Sequence, residues 1–166
     1  MSTAERQIKI AIGSEAMAYQ TKQALKQHLC QLGYQVVDVG TTELSQPVSH
    51  IDAAENVANL LQRGACEYGI LLCRTGAGIS IAANKHKGIR CVLCESRWTA
   101  YSSRKINDAN VLAMGSDVVT TRTACDMAEI FLKTPFADAE NDERKALLSG
   151  YLHQLEQHEA KQFHTG

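Results

Sequence analysis

Short β-rich runs alternate with helical periods along the chain. Residues 8–12 form the first apolar run, a strand, and Ala24, Leu25, Leu29 and Leu32 then recur on one face of an amphipathic helix over residues 16–32, stopped by Gly33. A second strand follows over residues 34–39, and a polar loop over 40–49. Ala53, Ala54, Val57, Leu60 and Leu61 then mark a helix that ends near Gly64. The third strand is 68–73, and the Gly-rich turn Thr75-Gly76-Ala77-Gly78 leads into a helical run over 79–85. A fourth strand at 89–94, a helix at 97–105, a fifth strand at 109–114 closed by Gly115 and a helix at 121–132 complete the alternation. From about residue 138 to 158 the pattern is helical and polar, with Leu147, Leu148, Tyr151, Leu152 and Leu155 as its apolar stripe.

Parallel strands need helical crossovers, so five βα alternations predict an α/β fold: a Rossmann-like three-layer sandwich with a five-stranded parallel sheet and a C-terminal helix. Residues 1–166 read as one domain, with a core over 7–134 and a helical extension over 138–160. In such sheets ligands bind outside the carboxyl ends of the strands. The rim then comprises residues 13–16, 40–42, 74–78, 95–97 and 115–117.

Composition narrows the class. The 166 residues are 45% apolar and 21% charged, near globular averages, and only two are proline, which excludes disordered and fibrous chains. With 17 Lys and Arg against 18 Asp and Glu, the net charge of -1 offers no surplus to a phosphate backbone, so no nucleic-acid partner is expected. The opening MSTAERQIKI lacks a basic region followed by an apolar run, and no 18-residue apolar stretch occurs, so no membrane partner is expected. Six cysteines scattered through apolar runs fit reduced thiols and a cytoplasmic setting. Cys91 and Cys94, three apart in a strand, face opposite sides, and with no second pair a zinc site is not expected. Of the six histidines, His153, His158 and His164 lie five and six apart in the polar tail, the spacing of solvated positions.

The densest chemical signal is Cys73-Arg74-Thr75-Gly76-Ala77-Gly78-Ile79-Ser80, where a strand ends, glycines follow and a helix begins. Glycines let backbone N–H groups approach a ligand oxygen, and a helix start adds positive potential. A tight connection explains the same Gly-x-Gly. A dinucleotide fingerprint lacks its third glycine, and no Walker-type Gly-Lys-Ser/Thr occurs. Cys73 sits where the helix start and Arg74 favour a thiolate base or nucleophile. On position alone the favoured reading is a buried thiol closing a core strand, since a free cysteine behaves as a small hydrophobe. Residues 13–15 and 104–110 add polar side chains that the same reading puts near the strand-end rim, or that simply belong to turns.

Taken in order, three stretches resemble the ribose-5-phosphate isomerase B family and its relatives, the galactose-6-phosphate isomerase subunits. They are Gly69-Ile-Leu-Leu-Cys-Arg-Thr-Gly-Ala-Gly-Ile-Ser-Ile-Ala-Ala-Asn-Lys85, Gly88-Ile-Arg90 and Asn107-Asp-Ala-Asn-Val-Leu-Ala-Met-Gly115, within a likeness running from about Ile8 to Arg144. The resemblance implies interconversion of an aldose phosphate and a ketose phosphate with no metal and no cofactor. It implies a homodimer, or a tetramer, with the active site between subunits and with a small sugar or sugar phosphate as the substrate. Cys73 and Thr75 take the catalytic positions, Cys73 removing the proton beside the carbonyl to give an enediolate. Glu15, Arg74, Gly76, Ala77, Gly78, Ser80, Asn107 and Arg144 take the substrate-binding ones.

Several positions depart from that pattern. The family's Asp-His pair after the first strand is Glu15-Ala16, the histidine before Asn107 that assists ring opening is Ile106, and the glycine after the cysteine is Arg74. Phosphate-binding arginines become Asp117 and Glu140, leaving Arg144. One lost charged hydrogen bond costs roughly 1.5 to 3 kcal/mol, so efficient turnover of ribose 5-phosphate is not expected. Two readings follow: an isomerase shifted toward an open-chain or short sugar held by Arg74 or Arg144, or a non-catalytic member that binds a sugar or a protein. The C-terminal stripe docks on its own domain or packs across a dimer.

Overall fold

The computed structural model describes residues 7–137 and 139–163. Five parallel strands, β1 (Lys9–Ser14), β2 (Gln35–Asp38), β3 (Tyr68–Cys73), β4 (Cys91–Leu93) and β5 (Val111–Gly115), lie in the order β2-β1-β3-β5-β4. Helices α1 (Tyr19–Gln31), α4 (Arg97–Asn107) and α5 (Thr121–Lys133) cover one face, and α2 (His50–Gln62) and α3 (Ala77–Ala83) the other. The three-layer α/β sandwich expected from the alternation is the fold observed.

Side-chain alternation divides the core in two. Ile10, Ile12, Ile70, Leu72, Leu112 and Met114 point to the α1, α4 and α5 layer, where Phe131 and Leu25 meet them. Ala11, Leu71, Cys73, Val111 and Ala113 point to the α2 and α3 layer, against Ala53, Val57 and Ile79. Because both faces of β3 and β5 are covered, their sequences are unbroken apolar runs. Cys91 and Cys94 fall against opposite layers, as their spacing predicted. Burial pushes the Cys91 thiol up to about 12.

Where boundaries differ from the sequence reading, local hydrogen bonds explain the shift. The helix expected over 16–32 divides into a single 3₁₀ turn, Ala16–Ala18, and α1, because the Glu15 carboxylate caps the turn at Met17 N–H. The fourth strand shortens to three residues at the sheet edge. There Arg90 N–H turns to the Asn110 side chain, and Asn84 bonds both the N–H and the C=O of Cys91. The extension expected from residue 138 becomes helix α6 (Asp142–Gln162) only after Asn141 caps it at Arg144 N–H, and residue 138 lies outside the described residues. Its stripe is split: Leu148 is buried, while Leu147, Tyr151 and Leu155 are exposed. His164 also lies outside the described residues. No helix among the described residues is long and apolar enough to cross a membrane.

Candidate active site

Strand order reverses between β1 and β3, since the chain leaves β1 toward β2 and then returns to its other side. A crevice opens at such a point because the following loops diverge to opposite faces. Here it is a cavity of about 580 Å³ lined by Glu15, Ala16, Pro47, Val48, Ser49, His50, Cys73, Arg74, Thr75 and Gly78. Its size suits a small metabolite.

Cys73 closes β3 at the cavity floor and is 7% exposed. The N–H of Gly76 points to its sulfur at 3.1 Å. That geometry requires the tight turn after the strand, in which Gly76 takes a φ of 79°. A Cβ on Gly76 would lie 2.5 Å from Leu93 Cδ1 and 2.9 Å from the Met114 carbonyl carbon, so glycine is needed for space as well as for conformation. Thr75 is exposed at the cavity wall, and its Oγ1 accepts from Ala77 N–H at 3.3 Å. The N–H groups of Gly78 and Ile79 belong to the first turn of α3, where no intrahelical acceptor exists.

Glu15 contributes a carboxylate whose Oε2 accepts from Met17 N–H at 2.8 Å. Its Oε1 is buried with no hydrogen-bond partner among the described residues. Arg74 stands at the mouth, with Nε donating to Asp117 Oδ2 at 2.8 Å. Arg74 and Asp117, two positions that depart from the pattern the sequence resembles, thus meet as one ion pair.

The other expected site residues lie elsewhere in the single chain. Ser80 is buried with its hydroxyl donating to the Ala77 carbonyl at 2.8 Å. Asn107 ends α4 before β5, and β5 runs parallel to β3 with Val111 beside Gly69 and Gly115 beside Cys73. Asn107 therefore sits at the opposite edge of the sheet, more than roughly 13 Å of strand away from the floor. Placing residues 104–110 at the ligand rim is corrected accordingly, because a segment preceding a parallel strand meets its amino end. Their polar groups are structural: Asp108 pairs with Arg104 Nη1 at 2.6 Å and Arg90 Nη2 at 2.8 Å, and the Asn110 side chain bonds Arg90 N–H and the Gly88 carbonyl. Arg144 is exposed on α6 and does not line the cavity. Glu140 pairs with Lys105 at 3.0 Å.

His50 was not singled out by the pattern of the chain, because residues 40–49 read as loop and the helix as starting near Ala53. The available signal was Ser49 followed three residues later by Asp52, a helix-start pair. Ser49 Oγ accepts from Asp52 N–H at 3.0 Å and donates to Asp52 Oδ2 at 2.7 Å, which starts α2 at His50 on the cavity wall. Among the described residues no group of three His, Cys, Asp or Glu side chains gathers to hold a metal ion.

The fold and the cavity define an α/β protein that offers a thiol, a carboxylate and backbone amides to a small ligand at a topological switch point. The chain belongs to the Ribose/Galactose Isomerase family, which it matches over residues 10–148. It is 38% identical over 143 residues to the 4-deoxy-4-sulfo-D-erythrose isomerase of Clostridium sp. (strain MSTE9), covering 86% of this chain and 90% of that protein. It is also 38% identical over 136 residues to ribose-5-phosphate isomerase B of Escherichia coli (strain K12), covering 82% and 91%. Among solved structures, the ribose-5-phosphate isomerase B of Clostridium thermocellum superposes with a TM-score of 0.84 at 36% identity, over 93% of this chain and 99% of that one.

Proposed function

We propose that this protein is an aldose–ketose isomerase for a short open-chain sugar with an anion on its terminal carbon, a four-carbon aldose above all. The observation that carries the reading is Cys73 on the floor of the switch-point cavity with Gly76 N–H on its sulfur. As thiolate, Cys73 takes the proton from the carbon beside the carbonyl, and the Gly-rich turn stabilises the enediolate oxygen. Positioned proton transfer and oxyanion stabilisation each contribute on the order of 100-fold or more. A proton moved within one substrate needs no redox cofactor.

The substrate class follows from what the site lacks as well as from a relative. Ala16 and Ile106 replace the histidines that the family resemblance leads one to expect. A tetrose whose fourth carbon carries phosphate or sulfonate has no hydroxyl there to close a ring, so it needs no ring-opening acid. The similarity to a sulfo-erythrose isomerase supports the same class. Arg74 at the mouth is the cation for the terminal anion, and the free Glu15 Oε1 is an acceptor for a sugar hydroxyl.

A homodimer is part of this reading, supported by the exposed Leu147, Tyr151 and Leu155 on α6 and by Asn107 and Arg144 lying outside the cavity of their own chain. A second copy would supply both. A cytoplasmic setting accords with six free cysteines. The test is to incubate the protein and Cys73→Ala in D2O with three- to six-carbon aldoses, ketoses and their phosphates, following deuterium beside the carbonyl by NMR. Exchange led by tetroses and reduced on the order of 1,000-fold in Cys73→Ala is the expected result. No exchange with any sugar, from folded protein, would replace this reading with a sugar-binding or regulatory role.

A further inference from the structure

We propose that His50 carries the proton between the two substrate oxygens, the half of the isomerisation that Cys73 does not perform. This rests on the isomerase reading and adds a catalytic residue to it. Isomerisation moves one proton from carbon to carbon and another from oxygen to oxygen. A thiol at the cavity floor serves the first transfer. The second needs a wall group that both gives and takes a proton.

The polar wall side chains are Glu15, Ser49, His50, Arg74 and Thr75. A guanidinium does not surrender its proton, and Glu15, whose Oε2 is held by Met17 N–H, serves in this reading as the acceptor for a sugar hydroxyl. The Ser49 hydroxyl is occupied in both directions by Asp52, and the Thr75 hydroxyl, free to donate a hydrogen bond while its Oγ1 accepts from Ala77 N–H, is too weak an acid and base to hold the proton between the two transfers. His50 is the one imidazole among the lining residues, and imidazole is the side chain suited to proton exchange near neutral pH.

The ring is also in the right place. Capping by Ser49 makes His50 the first residue of α2, and α2 lies against α3 on the same face of the sheet as Cys73. A Cβ on Gly78 would come within 3.1 Å of both Cδ2 and Nε2 of His50, so the ring edge rests on the Gly-rich turn that begins at Cys73. Thiol and imidazole thus enter one cavity from two separate elements. The missing Gly78 side chain is what lets them share it.

The proton balance closes. The Cys73 thiolate takes the C2 proton, the C–H electrons form a C1=C2 double bond, and the carbonyl π pair moves to O1, which takes the Nε2 proton of the His50 imidazolium. The neutral ring then takes the O2 proton as a carbonyl forms at C2, and the C1=C2 pair recovers the thiol proton at C1. Sulfur and ring end as they began.

The experiment follows erythrose 4-phosphate and 4-deoxy-4-sulfo-erythrose in D2O with wild type, His50→Gln and His50→Ala. It reads conversion to ketose and deuterium returned to C2 of the remaining aldose. His50 is exposed, and circular dichroism checks that both variants keep the fold. Conversion by His50→Gln should fall on the order of 100-fold while deuterium returned per conversion rises at least about 10-fold, because an enediolate without its oxygen relay collapses back to aldose. Added imidazole should restore part of the conversion in His50→Ala. Conversion unchanged, or lowered with the deuterium ratio unchanged, would overturn the role of His50 alone. A wild type that exchanges no sugar would overturn the isomerase reading and this inference with it.

Discussion

Arg74 Nε meets Asp117 Oδ2 at 2.8 Å where the turns after β3 and β5 run side by side, held by Asp117 N–H on the Arg74 carbonyl at 2.9 Å and Ser116 N–H on the Cys73 carbonyl at 2.9 Å. The side chains are 64% and 48% exposed, so water screens the pair and it contributes less than about 1 kcal/mol to stability. Arg74 can therefore exchange Asp117 for the anion of a substrate at little cost. Arg74→Gln should raise KM for an anionic tetrose by about 10- to 100-fold with a smaller change in kcat. Asp117→Asn should leave stability within about 1 kcal/mol and lower KM. Steady-state kinetics decide it, and equal KM values in Arg74→Gln and wild type would remove Arg74 as the anion holder.

Gly76 bears on both fold and chemistry. Its left-handed φ of 79° and its closeness to Leu93 and Met114 leave no room for a Cβ. The backbone conformation alone costs an L-residue about 1 to 2 kcal/mol, and the crowding adds to it. Gly76→Ala should lower unfolding free energy by about 2 kcal/mol or more in urea titration, and should cut Cys73-dependent exchange by moving the N–H off the sulfur. Wild-type stability and exchange in that variant would show that the turn relaxes freely.

Lys22 is fully buried, with its ammonium on Asp38 Oδ1 at 2.6 Å and Oδ2 at 2.8 Å and on the Thr41 carbonyl at 2.5 Å. Burial pulls its pKa below 10.5, against the opposing pull of Asp38. Lys22→Met strands a nearly buried carboxylate that keeps, among the described residues, Lys26 and Gly40 N–H, both at 3.3 Å. A loss of about 3 kcal/mol is expected. Lys22→Met with Asp38→Asn should recover part of it, and a chemical-denaturation double-mutant cycle measures the coupling. Purely additive losses would mean that the two residues do not act as a pair.

Acid sensitivity should involve Glu129. Hydrogen bonds from Lys133 and then His28 hold its carboxyl below the ordinary 4.5. A depressed folded-state value means that the unfolded chain binds the proton more readily, so this contribution is present above that ordinary value and fades as pH falls through the folded one. Glu129→Gln should flatten the stability curve between about pH 5 and 3 relative to wild type. Thermal melts across that range provide the comparison, and parallel curves would show that Glu129 contributes nothing to acid unfolding.

Of the eleven strands and α-helices among the described residues, ten can be found in the hydrophobic pattern to within three residues at each end. Tyr68–Cys73 agrees at both ends because a strand covered on two faces is an unbroken apolar run. The fourth strand is overestimated because apolar character extends past the residues that pair at a sheet edge. Cys73, Thr75 and the Gly-rich turn were legible together, since they are contiguous in the chain. His50 was missed because its place depends on where α2 begins and on Gly78 across the cavity.

Periodicity, strand ends and capping residues are local properties, so the chain by itself determined its α/β class, its parallel sheet and the edge of the sheet at which the cavity opens. Pairings across the fold are different. That Arg74 answers Asp117, that Lys22 is buried against Asp38 and that Asn107 stands at the far edge from Cys73 were decided by strand order and register. A side chain's partner is set by which elements fold beside it, and charges 43 residues apart in the chain carry no mutual signal until the parallel strands bring their turns together.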